Sequence, residues 1–228
     1  MKRAVCLLSG GMDSAVSTAT AKTQGYTVYA LTFDYGQRHR KEIECARRLA
    51  GFFKVKEHKT LKIDLGEFGG SALTDNIKVP TGKTIGEIKK SGLIPETYVP
   101  ARNTIMLSFA LAYAEVKEAD AIYIGANSVD YSGYPDCRPE YFKRFQKLAD
   151  IATKKGLTGG GARIKTPLLY MTKADIIKRG IELEVPFQYT WSCYMGGMKA
   201  CGGCDSCVLR LNGFKEAGLK DPLAYETK

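Results

Sequence analysis

Apolar and polar positions along the first third of the chain change period repeatedly, and each change marks an element. Ala4 to Leu8 is a continuous apolar run of strand length and predicts a buried strand. Asp13 to Gln24, rich in Ala and Thr and closed by Gly25, predicts a helix. Tyr26 to Phe33 is dense in β-branched and aromatic residues, as a second strand requires. Gln37 to Ala50 sets Ile43, Ala46, Leu49 and Ala50 at helical spacing and stops at Gly51, and Val55 to Ile63 reads as a third strand. Strands and helices joined in this order by short connections predict an α/β fold, a parallel sheet with helices on both faces.

From Gly66 to Pro100 the pattern dissolves into Gly, Pro, Ser, Thr and Lys, which predicts a lid or a partly disordered loop. Order returns with a helix over Asn103 to Val116 and a short buried strand, Ala121 to Ile124. A helix is expected from Glu140 to Lys155, opened by Pro139, and a further strand around Ile164. Thr172 to Leu183 predicts a helix with Thr172 as N-cap and Asp175 at the third position. The last forty residues carry little periodicity and much cysteine. Neither an internal repeat nor a low-complexity tract is visible. The expected organisation is a sheet domain over 1–190 with a small segment, 191–228, packed on it.

Composition narrows the partners. With 34 basic against 24 acidic residues the net charge is +10, which suits an anionic partner, whether nucleotide, RNA or DNA. The lysines are scattered, as at Lys54, Lys56, Lys59 and Lys62, in the manner of solvated faces. The opening Met1-Lys2-Arg3 leads into an apolar stretch too short for a secretory signal, and no apolar run reaches the length that spans a membrane. Seven cysteines, an odd number, then point to a reducing cytoplasm and a metal site rather than a disulfide framework.

The first chemistry lies in Ser9-Gly10-Gly11-Met12-Asp13-Ser14, directly between the first strand and the first helix. A strand that turns through Ser-Gly-Gly into a helix presents backbone N–H groups at the positive end of the helix dipole, a cradle for polyphosphate. Ser9 and Ser14 add hydroxyls, and Asp13 offers a carboxylate to the Mg²⁺ that travels with a nucleotide. The chain is therefore expected to bind ATP with Mg²⁺.

The second chemistry is the array Cys193, Cys201, Cys204 and Cys207. Its two overlapping C-x-x-C hooks can wrap one ion, and four thiolates without a competing histidine suit one structural, tetrahedral Zn²⁺ per chain. Iron–sulfur clusters are held by the same donors and stay open as the rival. Four cysteines leave no free coordination position for catalysis, so the ion is read as a staple for an apolar-poor tail. Cys6, Cys45 and Cys137 fall outside the array, and only Cys137, beside Asp136 and Arg138 in a polar loop, stands near candidate ligand contacts. Gly82-Lys83-Thr84 imitates the end of a Walker A motif but lacks its earlier glycine, since Ile77 stands there.

Ser9 to Ser14 after a first strand resembles the pyrophosphate loop of the N-type ATP pyrophosphatases, a group that includes GMP synthetase, NAD synthetase and several tRNA-modifying enzymes. Four further segments narrow the likeness: Phe33-Asp34-Tyr35-Gly36-Gln37-Arg38-His39, Val99-Pro100-Ala101-Arg102-Asn103-Thr104, Asp130 to Glu140, and Ser192-Cys193 with the cysteine tail. Together they resemble the 7-cyano-7-deazaguanine synthase family from Ala4 to about Phe214.

The resemblance implies a Rossmann-like sheet of the adenine nucleotide alpha hydrolase type. It implies a cytoplasmic, homodimeric ligase that joins ammonia to 7-carboxy-7-deazaguanine at the expense of ATP, on the route to queuosine or archaeosine. It assigns ATP contacts to Leu8, Ser9, Gly10, Gly11, Met12, Asp13, Ser14, Ala15, Val16, Ser17 and Thr18, with Thr32 to Asp34 bordering adenine. Asp13, Arg102 and Lys173 become the catalytic candidates. Tyr131 and Tyr134 are expected to stack on the base, Asp136 to read its N–H edge, and Arg138 to pair with its carboxylate. No stable nucleic acid and no membrane are expected as partners. Two rivals remain: a related enzyme adenylating a base on intact tRNA, and a zinc module that binds nucleic acid by charge alone.

Overall fold

Val5 and Leu7 of the first strand join one apolar cluster, while Ala4, Cys6 and Leu8 join clusters on the other side. That split is the pleat of a strand buried on both faces, and it explains why the run is unbroken by polar residues. The computed structural model describes residues 1–90, 93–129 and 133–226, apart from the side chains of Lys89 and Lys90.

Five strands form one parallel sheet: β1 (Arg3–Leu7), β2 (Thr27–Asp34), β3 (Glu57–Lys62), β4 (Ala121–Tyr123) and β5 (Arg163–Lys165), in the order β3-β2-β1-β4-β5. The chain runs outward from β1 to β3, then returns to place β4 on the free side of β1. The order therefore reverses between β1 and β4, where a crevice opens at the carboxyl ends of the strands.

Helices α1 (Met12–Thr23) and α2 (Lys41–Phe52) cover one face. They share a core with α7 (Lys173–Glu182) and α8 (Asp205–Glu216), built on Val16, Leu49, Ile176, Ile177 and Phe214. Helices α4 (Arg102–Val116) and α5 (Pro139–Ile151) cover the other through Leu107, Leu111, Phe142 and Phe145. Each such side chain withdrawn from water contributes about 1.5–3 kcal/mol. The edge strand β3 exposes Lys59, Thr60 and Lys62, and charged side chains on an edge discourage pairing with another chain.

Three sequence expectations need correction. The helix expected over Glu140 to Lys155 ends at Ile151, and after a break at Thr153 the short α6 (Lys154–Leu157) begins. The Thr153 hydroxyl accepts the Gly156 N–H at 2.9 Å, so a second cap sits inside what reads as one amphipathic stretch. The supposedly aperiodic tail contains α8, twelve residues long, which buries Leu209 and Phe214. Among the described residues between 66 and 100 the chain is irregular but not loose. It holds α3 (Ile85–Lys90) and buries Leu73, Val79 and Val99. Arg38 fastens it by donating to the carbonyls of Ala72 (2.7 Å), Asp75 (2.9 Å) and Ile77. The Walker-like Gly82-Lys83 is spent on the cysteine segment, with Gly82 N–H on the Gly203 carbonyl at 2.9 Å and Lys83 on Asp205 at 3.4 Å.

Candidate active site

At the crevice between β1 and β4 the chain leaves Leu7 and turns through Ser9 and Gly10 into α1. Gly10 has φ +88°, and a Cβ there would lie 2.0 Å from the carbonyl oxygen of Glu42 on α2, so only glycine fits. At the end of β4, a Cβ on Gly125 would lie 2.7 Å from the Asp13 backbone, which brings that strand flush against the start of α1. Ser9 Oγ accepts the Gly11 N–H at 3.3 Å and pairs with Ser14 Oγ at 3.1 Å, while Ser14 Oγ donates to the Gly11 carbonyl at 2.9 Å. The hydroxyls brace the turn from within. No side chain caps α1, so its first N–H groups are free to meet an anion.

Above the turn lies a cavity of about 290 Å³. Asp13 and Lys173 meet there from α1 and α7, with Lys173 Nζ donating to both carboxylate oxygens at 3.1 and 2.9 Å. The capping box at Thr172 starts α7 one residue before the lysine. Arg102 enters from α4 and lies over the Tyr35 ring at 5.8 Å. Burial opposes its charge, but Tyr35, Tyr134, Cys137 and Asp136 around it prevail and hold its pKa above the usual value. The three catalytic candidates thus line one space.

The residues expected around the base separate. Tyr134 lines the cavity and shares a hydrogen bond with Thr97 at 3.0 Å, whereas Tyr131 lies outside the described residues. Asp136 is buried, and its Oδ2 accepts the Asn103 N–H at 2.9 Å, so its carboxylate serves the start of α4. Burial pushes its pKa up, against the pull of Asn103 and Arg102. Arg138 is exposed at the start of α5, away from the cavity. Cys137 lines the cavity and its Sγ accepts from Asn103 Nδ2 at 3.3 Å; it is buried rather than set in an open polar loop. Of the strand end expected beside adenine, Thr32 donates to the Leu8 carbonyl, Asp34 pairs with Arg40 at 3.0 Å, and the cavity wall begins only at Tyr35.

The four array cysteines converge, with their sulfurs all within 4.8 Å of one another. Cys193 Sγ accepts the N–H groups of Met195 (3.4 Å) and Cys201 (3.3 Å), and Cys201 Sγ those of Gly203 (3.4 Å) and Cys204 (3.3 Å). Such N–H donors stabilise thiolates. Hydrogen bonds from Cys204 and Cys207 push the Cys193 thiol down, while sharing that one charge pushes theirs up, the balance a divalent cation resolves. An all-sulfur, closed set of this size fits structural zinc.

The same segment forms a wall of the cavity, a placement that cysteine spacing does not signal. Trp191, Ser192 and Tyr194 line it on either side of the ligand Cys193. The Trp191 N–H bonds the Gly10 carbonyl at 2.9 Å, joining this wall to the pyrophosphate turn. Arg210, three residues past Cys207, is buried and donates to Thr190 Oγ1 (2.7 Å), Ser192 Oγ (3.4 Å) and Asp221 (2.7 and 3.0 Å). Glu42 on α2 lines the cavity too, and no sequence motif marked it. An arginine amid buried α8 positions was the one available signal for Arg210.

Comparison with known proteins bears on the chain as a whole. The family model described as Queuosine biosynthesis protein QueC matches residues 3–218. Over 226 residues the chain is 55% identical to 7-cyano-7-deazaguanine synthase 2 of Desulfitobacterium hafniense, covering 99% of this chain and 94% of that protein. It is 56% identical to 7-cyano-7-deazaguanine synthase of Acetivibrio thermocellus, covering 99% and 98%. An archaeal relative of the same name, from Picrophilus torridus, is 55% identical over 99% of this chain and 92% of its own length.

Proposed function

The chain belongs to the family of the queuosine biosynthesis protein QueC, and from that premise we propose how its cavity carries out the family's chemistry. It is an ATP-dependent carbon–nitrogen ligase that converts 7-carboxy-7-deazaguanine, with ammonia, into 7-cyano-7-deazaguanine. A carboxylate resists amide formation because its oxygen is a poor leaving group. Transfer of AMP to that oxygen releases pyrophosphate and lets the oxygen depart as AMP when ammonia attacks. A second adenylation, on the amide oxygen, drives loss of the elements of water to the nitrile. Such chemistry needs positioning and charge neutralisation rather than a side-chain nucleophile.

In this reading the Ser9–Ser14 turn holds the departing pyrophosphate through its backbone N–H groups, and Arg102 neutralises charge on the transferred phosphate. Lys173 exchanges Asp13 for the triphosphate, which frees a carboxylate oxygen of Asp13 to face the accompanying magnesium. Tyr134 stacks on the base beside Arg102. Asp136 supports the site from behind, as acceptor for the first turn of α4. Zinc, bound by the four cysteines, stiffens the Trp191–Tyr194 wall and takes no part in the reaction. One observation carries the reading: the pyrophosphate turn, the Asp13–Lys173 pair and Arg102 share a single cavity. In this reading the substrates are small molecules rather than tRNA, and the enzyme works in the cytoplasm as a homodimer.

The test supplies ATP, ammonium and either free 7-carboxy-7-deazaguanine or tRNA, and measures AMP and nitrile. Both products form with the free base only; product on tRNA alone would reverse the assignment. Asp13→Ala lowers exchange of pyrophosphate into ATP by about 100-fold or more, the scale for losing one organised electrostatic group, while bound zinc stays stoichiometric.

A further inference from the structure

Among the described residues two carboxylates line the cavity, Asp13 and Glu42, and they differ in company. Asp13 is neutralised by Lys173 at 2.9 Å. Glu42, in the first turn of α2, receives no hydrogen bond and no ion pair from any described residue, although it is partly buried and its backbone presses on Gly10. A desolvated carboxylate left without a partner is costly, and such a group commonly waits for a ligand. Of the three reactants, ATP and the deazaguanine carboxylate are anions, and Lys173 and Arg102 answer them. Ammonium, protonated at neutral pH as simple amines are, is the one cation.

We propose that Glu42 is the ammonium-binding residue and the base that converts ammonium to ammonia for attack on the adenylate. This rests on the ligase reading above. One N–H bond of ammonium breaks and its proton passes to a Glu42 carboxylate oxygen. The freed lone pair forms the C–N bond, the C–O bond to AMP breaks, and its electron pair leaves with AMP. The further proton shed by the nitrogen goes to the departing phosphate, so charge and atoms balance. Nitrile formation repeats the need once Glu42 has released its proton to solvent: the O-adenylated amide, R–C(OAMP)=NH₂⁺, gives one proton to Glu42 and one to the departing phosphate as the C–O bond breaks and the C≡N bond forms.

The surroundings suit a base that works near neutrality. Burial pushes the Glu42 carboxyl up to about 7, Arg102 from α4 pulls it down, and Cys193 from the cysteine segment raises it slightly. Tyr35 beyond the end of β2, Arg38 and His39 before α2, and Tyr134, Cys137, Tyr194 and Arg210 are the other titratable and charged groups along the cavity wall, together with the Asp13–Lys173 pair. Tyr35, Trp191 and Tyr194 line the same space, and two of these rings already carry cations, Arg102 over Tyr35 at 5.8 Å and Lys41 over Trp191 at 3.8 Å.

The decisive experiment measures nitrile formation against ammonium concentration from pH 6.5 to 9 in wild type, Glu42→Gln and Glu42→Asp, alongside pyrophosphate exchange without ammonium. In wild type, kcat/KM for ammonium rises with pH through about 7 as the carboxylate ionises, then levels off. Glu42→Gln raises the ammonium concentration for half-maximal rate about tenfold or more at pH 7. Its deficit shrinks steadily toward pH 9, where free ammonia bypasses the base. Glu42→Asp keeps the levelling profile at a lower rate. An unchanged ammonium dependence in Glu42→Gln overturns the proposal. So does a defect confined to the KM of the deazaguanine, which would make Glu42 a reader of the base edge, or a loss of exchange, which would place it on magnesium–ATP. Absence of exchange in the wild type would instead refute the ligase reading.

Discussion

The two walls of the cavity are built on opposite plans. The pyrophosphate turn is contiguous: Ser9 to Ser14 supply the backbone, the bracing hydroxyls and Asp13 within six residues. The facing wall, Thr190 to Tyr194, has little internal structure and is held from far away. His39 reaches the Cys193 carbonyl at 2.9 Å, Gly10 accepts from Trp191, and Arg210 spans Thr190 and Asp221. The Arg210–Asp221 pair is almost wholly buried, at 1% and 3% exposure, so each charge depends on its partner. A contiguous site survives as long as its own corner does, whereas an assembled one depends on every tether and on the metal that gathers the cysteines.

The sharpest way to break the contiguous wall is Gly10→Ala. Its Cβ meets the Glu42 carbonyl, and its positive φ disfavours any side chain, so the turn or the start of α2 must move. A displacement on the order of 1 Å at the phosphate cradle costs about 100-fold or more in rate. Pyrophosphate exchange should fall by that factor while zinc remains bound, because none of the four array cysteines lies on the turn or on α2. Retained exchange would mean that the nucleotide sits elsewhere.

The assembled wall is broken by removing the metal. Trp191 is the chain's single tryptophan, buried, with Nε1 on the Cys193 carbonyl at 2.8 Å and Lys41 Nζ 3.8 Å above its ring. Chelation should therefore shift Trp191 emission to the red and raise the KM for ATP about tenfold, the effect of about 1.4 kcal/mol in binding, before far-ultraviolet circular dichroism reports any loss of the sheet. If dichroism and emission change together, the cysteines hold the whole domain and the two walls are not separate.

This contrast also decides what was legible in the sequence. The sheet, the turn and the cysteine array rest on local period and spacing, and they stand in the structure as read. The helix ends drift by a few residues, as at Lys41, because fraying and caps are local details that periodicity does not encode. Asp136 shows the limit more clearly. An acidic residue amid aromatics reads as a ligand contact, yet α4 begins after Ala101, at φ +52° with no side-chain cap of its own, and needs an acceptor from elsewhere. Asp136 meets that need from 33 residues away. Glu42 was invisible for the converse reason. Among the acidic residues of one amphipathic helix, only the packing of α2 on the Gly10 turn selects it.

The mildest test asks how local a local feature is. Thr172 Oγ1 accepts the Asp175 N–H at 3.2 Å, and Asp175 Oδ2 accepts the Thr172 N–H at 3.1 Å, closing the cap one residue before Lys173. Thr172→Ala removes half of this box and should lower stability by about 1 kcal/mol, seen as an earlier urea midpoint with unchanged slope. Ile176 and Ile177 still bury α7 against the sheet, and Asp13 still receives Lys173, so the KM for ATP should change by less than about threefold. A larger loss would mean that the cap sets the lysine's position rather than merely starting its helix, and Lys173 would then belong with the assembled wall.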